Sequence, residues 1–209
     1  MTRTWILLSA TLLASCGPKT LTLPEEPIDR AATCGVVAAN SARLATADIK
    51  APLSFEAIGR VLHYPLLAGS NGKAFSSEAA TAVQTRMAAL QDSIAEGKWQ
   101  QLVPACQAAF PPAYSQEVTL PSDRFDARLG CYALDDFVSS SLQAGKYENE
   151  RADLRDLKTK LDAALGTEMR SRVGSDPRSQ QEARSKALAK IAKAGSPASV
   201  LNECKARFG

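Results

Sequence analysis

Residues 97–110, GKWQQLVPACQAAF, and residues 195–208, GSPASVLNECKARF, are the two stretches that decide the fold of this 209-residue chain. In both stretches a Gly precedes the Cys by the same number of residues. An apolar pair lies one helical turn before the Cys, and a Phe lies one turn after it. Residues one turn apart share a face of an α-helix, so the Cys, the apolar pair and the Phe are predicted to face a core. We expect each Gly to end the preceding helix in a left-handed conformation.

The similarity extends beyond these stretches and indicates an internal duplication. A shift of about 98 residues superimposes Cys106 on Cys204, and nearly the same shift superimposes Cys34 on Cys131. Identity is low elsewhere, and Ala-rich amphipathic helices also resemble one another by composition alone. Four cysteines in register favour duplication over that alternative.

Helical periodicity runs through the chain from residue 30 onward, and no alternating run of β-branched residues competes with it. The clearest apolar stripe marks a sixth helix and comprises Leu154, Leu157, Leu161, Leu165, Met169 and Val173. Pro65 disturbs the second helix, Asp123 is a candidate cap for the fifth, and Asp176 with Pro177 begins the seventh. The sequence therefore predicts an all-α fold of about eight helices. We expect two tandem four-helix halves, residues 30–113 and residues 114–209.

The first sixteen residues, MTRTWILLSATLLASC, are typical of a bacterial export signal, here residues 1–15. Arg3 gives a positive start, and the apolar stretch after it is too short to span a bilayer as a mature helix. Residues 13–16, LASC, resemble the lipobox of bacterial lipoproteins. That resemblance implies cleavage before Cys16 and acylation of Cys16 with palmitate-type chains; the alternative is plain secretion.

The lipoprotein resemblance also implies a location and a tether. In the usual sorting rule an Asp after the lipidated Cys retains the protein in the inner membrane. Gly17 stands there instead, so the resemblance implies the periplasmic face of the outer membrane. Residues 16–29 contain Pro18, Pro24 and Pro27, and we expect them to form an extended tether between the anchor and the helices.

Four further cysteines follow the anchor: Cys34, Cys106, Cys131 and Cys204. An even number of cysteines in an exported chain predicts two disulfides, with free buried thiols as the alternative. If each half is a four-helix unit with one Cys in its first helix and one in its last, symmetry favours Cys34–Cys106 and Cys131–Cys204. The main rival pairing is Cys106–Cys131 with Cys34–Cys204.

Composition excludes some classes of partner. With 25 Lys and Arg against 22 Asp and Glu, and only 6% aromatic residues, nothing points to a nucleic-acid-binding protein. Basic residues concentrate in residues 170–193. We interpret that stretch as a solvated helix pair, the alternative being a contact with anionic lipid head groups.

The sequence contains no recognisable catalytic, cofactor or metal signature. His63 is the only histidine, and we expect it at the surface or at a helix end. With one histidine and no closely spaced cysteines, the usual metal sites are excluded. Asp135 and Asp136 are adjacent, so on a helix their side chains point about 100° apart and do not form an acid–base pair. We therefore predict no catalytic residue, no cofactor and no metal ligand.

These observations favour a non-enzymatic periplasmic lipoprotein that binds an envelope protein or peptide through a helical groove, with the space between the two halves as one location for it. The architecture is similar to that of the pilotins, small disulfide-bonded helical lipoproteins that guide secretin subunits to the outer membrane. No motif is shared with them, so no residue role is carried over. The alternatives are a cell-envelope hydrolase with a site of dispersed carboxylates, and an inhibitor or immunity-type protein.

Overall fold

The described part of the chain contains eight α-helices, as the sequence predicts. The computed structural model describes residues 20–48, 50–143 and 145–209, and no strand occurs among them. The predicted signal peptide, the lipidation site Cys16 and residues 17–19 lie outside the described residues. The helices are α1 Pro27–Leu44, α2 Phe55–Gly69, α3 Ser77–Ala95, α4 Val103–Ala109, α5 Arg124–Ser141, α6 Glu148–Arg172, α7 Pro177–Ile191 and α8 Pro197–Phe208.

Helix starts follow from local side-chain chemistry. The Asp123 carboxylate accepts the backbone N–H of Asp126 at the start of α5, and Asp176 accepts that of Ser179 at the start of α7, where Pro177 opens the first turn. Both starts confirm the sequence prediction. Glu26, Ser54, Ser76 and Ser196 cap four other helices in the same way.

Each group of four consecutive helices is closed by one disulfide. Helices α1, α2 and α3 pack pairwise and α4 lies against α1, while α5 packs against α6, α7 and α8. Cys34 of α1 bonds to Cys106 of α4, and Cys131 of α5 bonds to Cys204 of α8, with sequence separations of 72 and 73 residues. All four cysteines are fully buried. The pairing favoured by symmetry is confirmed, and the rival pairing is excluded.

Helix α2 lies between the two groups of helices and serves both cores. It contacts α1 and α3 on one side and α5, α7 and α8 on the other. Its side chains from residue 61 to residue 66 are all buried. Val61 and Tyr64 belong to the core of the first half, whereas Leu62 and Leu66 belong to the core formed by α5–α8. The two cores are therefore coupled through one helix, and the predicted boundary at residue 113 stays a prediction.

The two glycines of the repeated stretch, Gly97 and Gly195, have different structural roles. Gly195 has φ +148°, a conformation that strongly favours glycine. The prediction of a left-handed conformation is wrong at Gly97, whose φ is not positive. Gly97 is instead needed for space, because a Cβ atom there would lie 2.7 Å from the side chain of Leu21.

The predicted tether is partly folded onto the body. Helix α1 begins at Pro27, before the expected residue 30. Leu21 and Leu23 pack against the core of the first half. The Arg30 guanidinium donates hydrogen bonds to the backbone carbonyls of Pro24 and Glu25, at 2.9 and 2.6 Å. From Leu21 onward the chain is thus held against α1 and the end of α3.

Candidate functional site

A cleft of about 730 Å³ opens between helices of the two halves. The first half contributes α2, α3 and the loop between them, and the second half contributes α5 and α7. A cleft of this size lies within the usual range for ligand sites, which favour boundaries between packed units. Its lining comprises Leu62, Phe75, Ser77, Thr81, Gln84, Tyr132, Ala133, Asp136, Phe137, Ser140, Ser141, Gln181, Arg184, Ser185 and Leu188.

The loop after α2 fixes one wall of the cleft. The Phe75 N–H donates to the Ser185 carbonyl at 3.0 Å, and the Ser185 hydroxyl donates to the Phe75 carbonyl at 2.9 Å. The Phe75 ring meets the Phe137 ring edge-on, with 5.6 Å between centroids. Gly69 makes this fold-back possible, because a Cβ there would lie 2.5 Å from the Phe75 ring. The loop therefore joins α7 to α5 across the cleft.

Two charged side chains line the cleft, and only one of them has an opposite charge beside it. Asp136 is exposed and forms an ion pair with Lys158 of α6, and that hydrogen bond raises the pKa of Lys158. Arg184 is half-buried, and its guanidinium lies 5.2 Å from the centroid of the Tyr132 ring. Its Nε is buried without a hydrogen-bond partner, and within the described ranges Arg184 makes no ion pair.

Asp135 and Asp136 are separated by the helix, as predicted. Asp136 faces solvent, whereas Asp135 is fully buried. The Ser139 hydroxyl donates to one Asp135 oxygen at 3.2 Å, and the other oxygen has no partner among the described residues. Burial raises the pKa of Asp135 from 3.8 to about 6, because an unpaired charge is costly in the interior. Asp135 does not line the cleft.

The expectation that His63 lies at a surface or a helix end is wrong. His63 lies inside α2 and is fully buried, because α2 has helices packed on both sides. Its Nε2–H donates to the carbonyl of Ala192, just after α7, at 2.7 Å, so it joins the two halves. Burial lowers its pKa from 6.5 to about 4, which keeps the ring neutral near pH 7. Like Asp135, His63 does not line the cleft.

Sequence reasoning missed Arg184. It falls inside the basic stretch 170–193, which we interpreted as a solvated helix pair, and for Lys186 the surface pair with Glu182 fits that interpretation. Arg184 differs because it shares a helix face with Gln181 and Leu188, three residues before it and four after it, and Leu188 is buried. This spacing on α7 was the sequence signal that could have identified Arg184 as a residue facing other helices. The facing residues come from three other elements, so periodicity on α7 alone does not reveal a cleft.

No cluster of three or more His, Cys, Asp or Glu side chains that could hold a metal ion occurs within residues 20–48, 50–143 and 145–209. None of the helices in that same part of the chain has the length and apolarity needed to cross a membrane. Comparison with protein-family models, with curated proteins and with solved structures found no match.

Proposed function

We propose that this protein is a lipid-anchored periplasmic lipoprotein that binds a protein or peptide partner in the cleft between its two halves, without catalysing a reaction. The observation that carries the proposal is the mixed lining of the cleft. Phe75, Phe137 and Leu188 contribute apolar groups to the lining, and serine, threonine and glutamine side chains contribute polar groups. Apolar contact within a polar border is typical of protein–protein recognition.

The rest of the described surface has little exposed apolar area that could serve as a binding site. Among the described residues, Leu44 is the one large apolar side chain that is strongly exposed. A single exposed apolar residue is ordinary for a folded protein, whereas binding sites need a contiguous surface. This supports the cleft as the recognition surface.

The lipobox-like residues 13–16 support the anchor, and the packing of Leu21 limits how far the body extends from it. Leu21 lies five positions after Cys16 along the chain, which allows at most about 18 Å between their Cα atoms. A lipid on Cys16 would therefore hold the Leu21 side of the body close to the membrane surface.

Photocrosslinking in cells tests the proposal. A photoreactive residue in place of the exposed, cleft-lining Gln181 should capture a specific partner, whereas the same residue in place of Thr159, exposed on α6, should not. Equal products from both positions would contradict the proposed site.

A substitution that fills the cleft gives a second, matched test. The hydroxyls of Ser140 and Ser93 both donate to the carbonyl three residues earlier and both side chains are exposed, but only Ser140 lines the cleft. Ser140→Trp should abolish crosslinking from Gln181 and leave thermal unfolding unchanged, and Ser93→Trp should affect neither. Turnover of an envelope substrate that is lost on changing one carboxylate would favour the hydrolase alternative instead. A captured enzyme that is inactive in the complex would favour the inhibitor alternative.

A further inference from the structure

We propose that the cleft recognises a carboxylate of its peptide partner through the guanidinium of Arg184, with an apolar residue of the same peptide seated against Phe75 and Phe137. This inference rests on the proposed function and specifies the chemistry of the partner. Arg184 lines the cleft, lacks an ion pair within the described ranges, and keeps a buried Nε without an acceptor. Because no carboxylate of the described residues pairs with this guanidinium, its terminal N–H groups can donate charge-assisted hydrogen bonds to a carboxylate that enters the cleft.

The charges around the cleft are complementary to an acidic ligand. Asp136, the one carboxylate in the lining, is already engaged by Lys158. Asp162 lines a smaller neighbouring pocket that shares Arg184, but it forms no ion pair with Arg184. Among the described residues, the cleft therefore presents one cation whose charge is not neutralised by an ion pair, and an anionic group of the partner fits that position.

Three hydroxyl groups of the lining already donate hydrogen bonds within the protein. The hydroxyls of Ser140 and Ser141 both donate to the Phe137 carbonyl, and that of Ser185 donates to the Phe75 carbonyl. Their protons are already used within the protein, so they offer acceptors to a ligand. The hydroxyls of Ser77, Thr81 and Tyr132 are neutral, so Arg184 is the one positively charged donor that a carboxylate would meet in this lining.

The position of the cleft favours a peptide over an anionic lipid head group. Leu21, the first described residue held against the body, lies beside Gly97 just beyond the end of α3. The cleft residues of α3 are Ser77, Thr81 and Gln84, in its first half. These residues lie 11 to 18 residues before the end of α3, which is about 16–27 Å along the helix axis, so α3 separates the anchored side of the body from the cleft. The cleft is therefore more accessible to a partner in the periplasm than to the lipid head groups of the membrane that holds the anchor.

Selection from a random displayed-peptide library against the purified protein tests this inference. Enriched peptides should share an Asp or Glu next to an aromatic or aliphatic residue. Arg184→Gln should weaken their binding by about ten- to a hundredfold, because a charge-assisted hydrogen bond is lost. Arg184→Lys, which keeps the positive charge and most of the aliphatic stem, should retain most of the affinity and controls for misfolding.

Lys186→Gln is the matched control, since it removes one positive charge from α7 outside the cleft. It should leave peptide binding unchanged. Equal losses for Arg184→Gln and Lys186→Gln would overturn the inference, and so would peptides without an acidic residue. Competition by vesicles of phosphatidylglycerol and phosphatidylethanolamine, but not by acidic peptides, would overturn it in favour of a lipid head group.

Failure of this inference is distinguishable from failure of the proposed function. If the partner crosslinks at Gln181 and Ser140→Trp blocks it, but Arg184→Gln does not weaken it, carboxylate recognition is wrong and the binding site stands. If Gln181 crosslinks no more than Thr159 does, the proposed function itself is wrong.

Discussion

Replacing Asp135 with Asn tests whether burial of this one carboxyl shapes the pH dependence of stability. Burial raises its pKa from 3.8 to about 6 in the folded protein. The folded state therefore holds the proton more tightly than the unfolded chain does. The resulting stabilisation is complete below pH 3.8 and is lost as the pH rises through 6. A difference of about two pH units corresponds to about 3 kcal/mol of unfolding free energy.

Asn has nearly the shape of Asp and can still accept the hydrogen bond from Ser139, but it carries no charge to bury. At pH 7 we expect Asp135→Asn to be more stable than the native protein by about 1–3 kcal/mol. At about pH 4 the native Asp135 is protonated as well, so the gain should disappear.

His63 contributes the opposite pH dependence. Burial lowers its pKa from 6.5 to about 4, so its stabilising effect is present above 6.5 and is lost as the pH falls through 4. Between about pH 4 and 6 the two groups oppose each other in the native protein. In Asp135→Asn only the effect of His63 remains, and stability should fall more steeply on acidification.

Urea unfolding followed by circular dichroism, with the disulfides intact, measures these free energies from about pH 4 to 8. Asp136→Asn is the matched control, because Asp136 is exposed on the same helix and its surface ion pair is worth at most about 1 kcal/mol. A loss of stability in Asp135→Asn that is the same at every pH would refute the reasoning, since it would show that burial of the charge is not the controlling factor.

The other predictions concern packing, covalent links and the anchor. Gly59→Ala should destabilise the protein by about 1–3 kcal/mol, because the new Cβ would lie 3.0 Å from that of Ala198. Gly166→Ala, where a Cβ meets nothing within 4 Å, should instead raise stability by about 0.5–1 kcal/mol, and thermal unfolding of both variants checks the contrast. Cys204→Ser should cost about 2–5 kcal/mol in denaturant unfolding. Cys16→Ser should abolish palmitate labelling in cells, and labelling that persists would contradict the lipoprotein prediction.

The helices and the disulfides could be predicted because their signals are local or repeated. Caps such as Asp123 and Asp176 act within one turn of the chain, so a short stretch of sequence specifies them. The pairing of Cys34 with Cys106 followed from the nearly equal spacing of the cysteines in the two halves, 72 and 73 residues. Neither inference needs knowledge of how the halves are arranged.

Burial of His63 and Asp135 was not predicted, because it depends on how the two halves are arranged, and a sequence signal existed only for His63. A signal was present in α2, where Val61, Leu62, Tyr64 and Leu66 occupy more than one face of the helix. A helix that is apolar all round is a buried one, and a polar residue within it is buried as well. The cleft was beyond prediction for a related reason, since its lining comes from four separate elements that meet only in the folded chain.

The position of α2 has a consequence for dissecting the protein into fragments. Leu62 and Leu66, which precede residue 113, fill the core formed by α5–α8. A fragment starting at Tyr114 would keep its own disulfide, yet it would expose the apolar surface that α2 covers and would tend to self-associate. If the chain arose by duplication, the two copies have since come to share α2 as a common core helix. We therefore expect that neither half is a stable fragment by itself and that both halves must be expressed together.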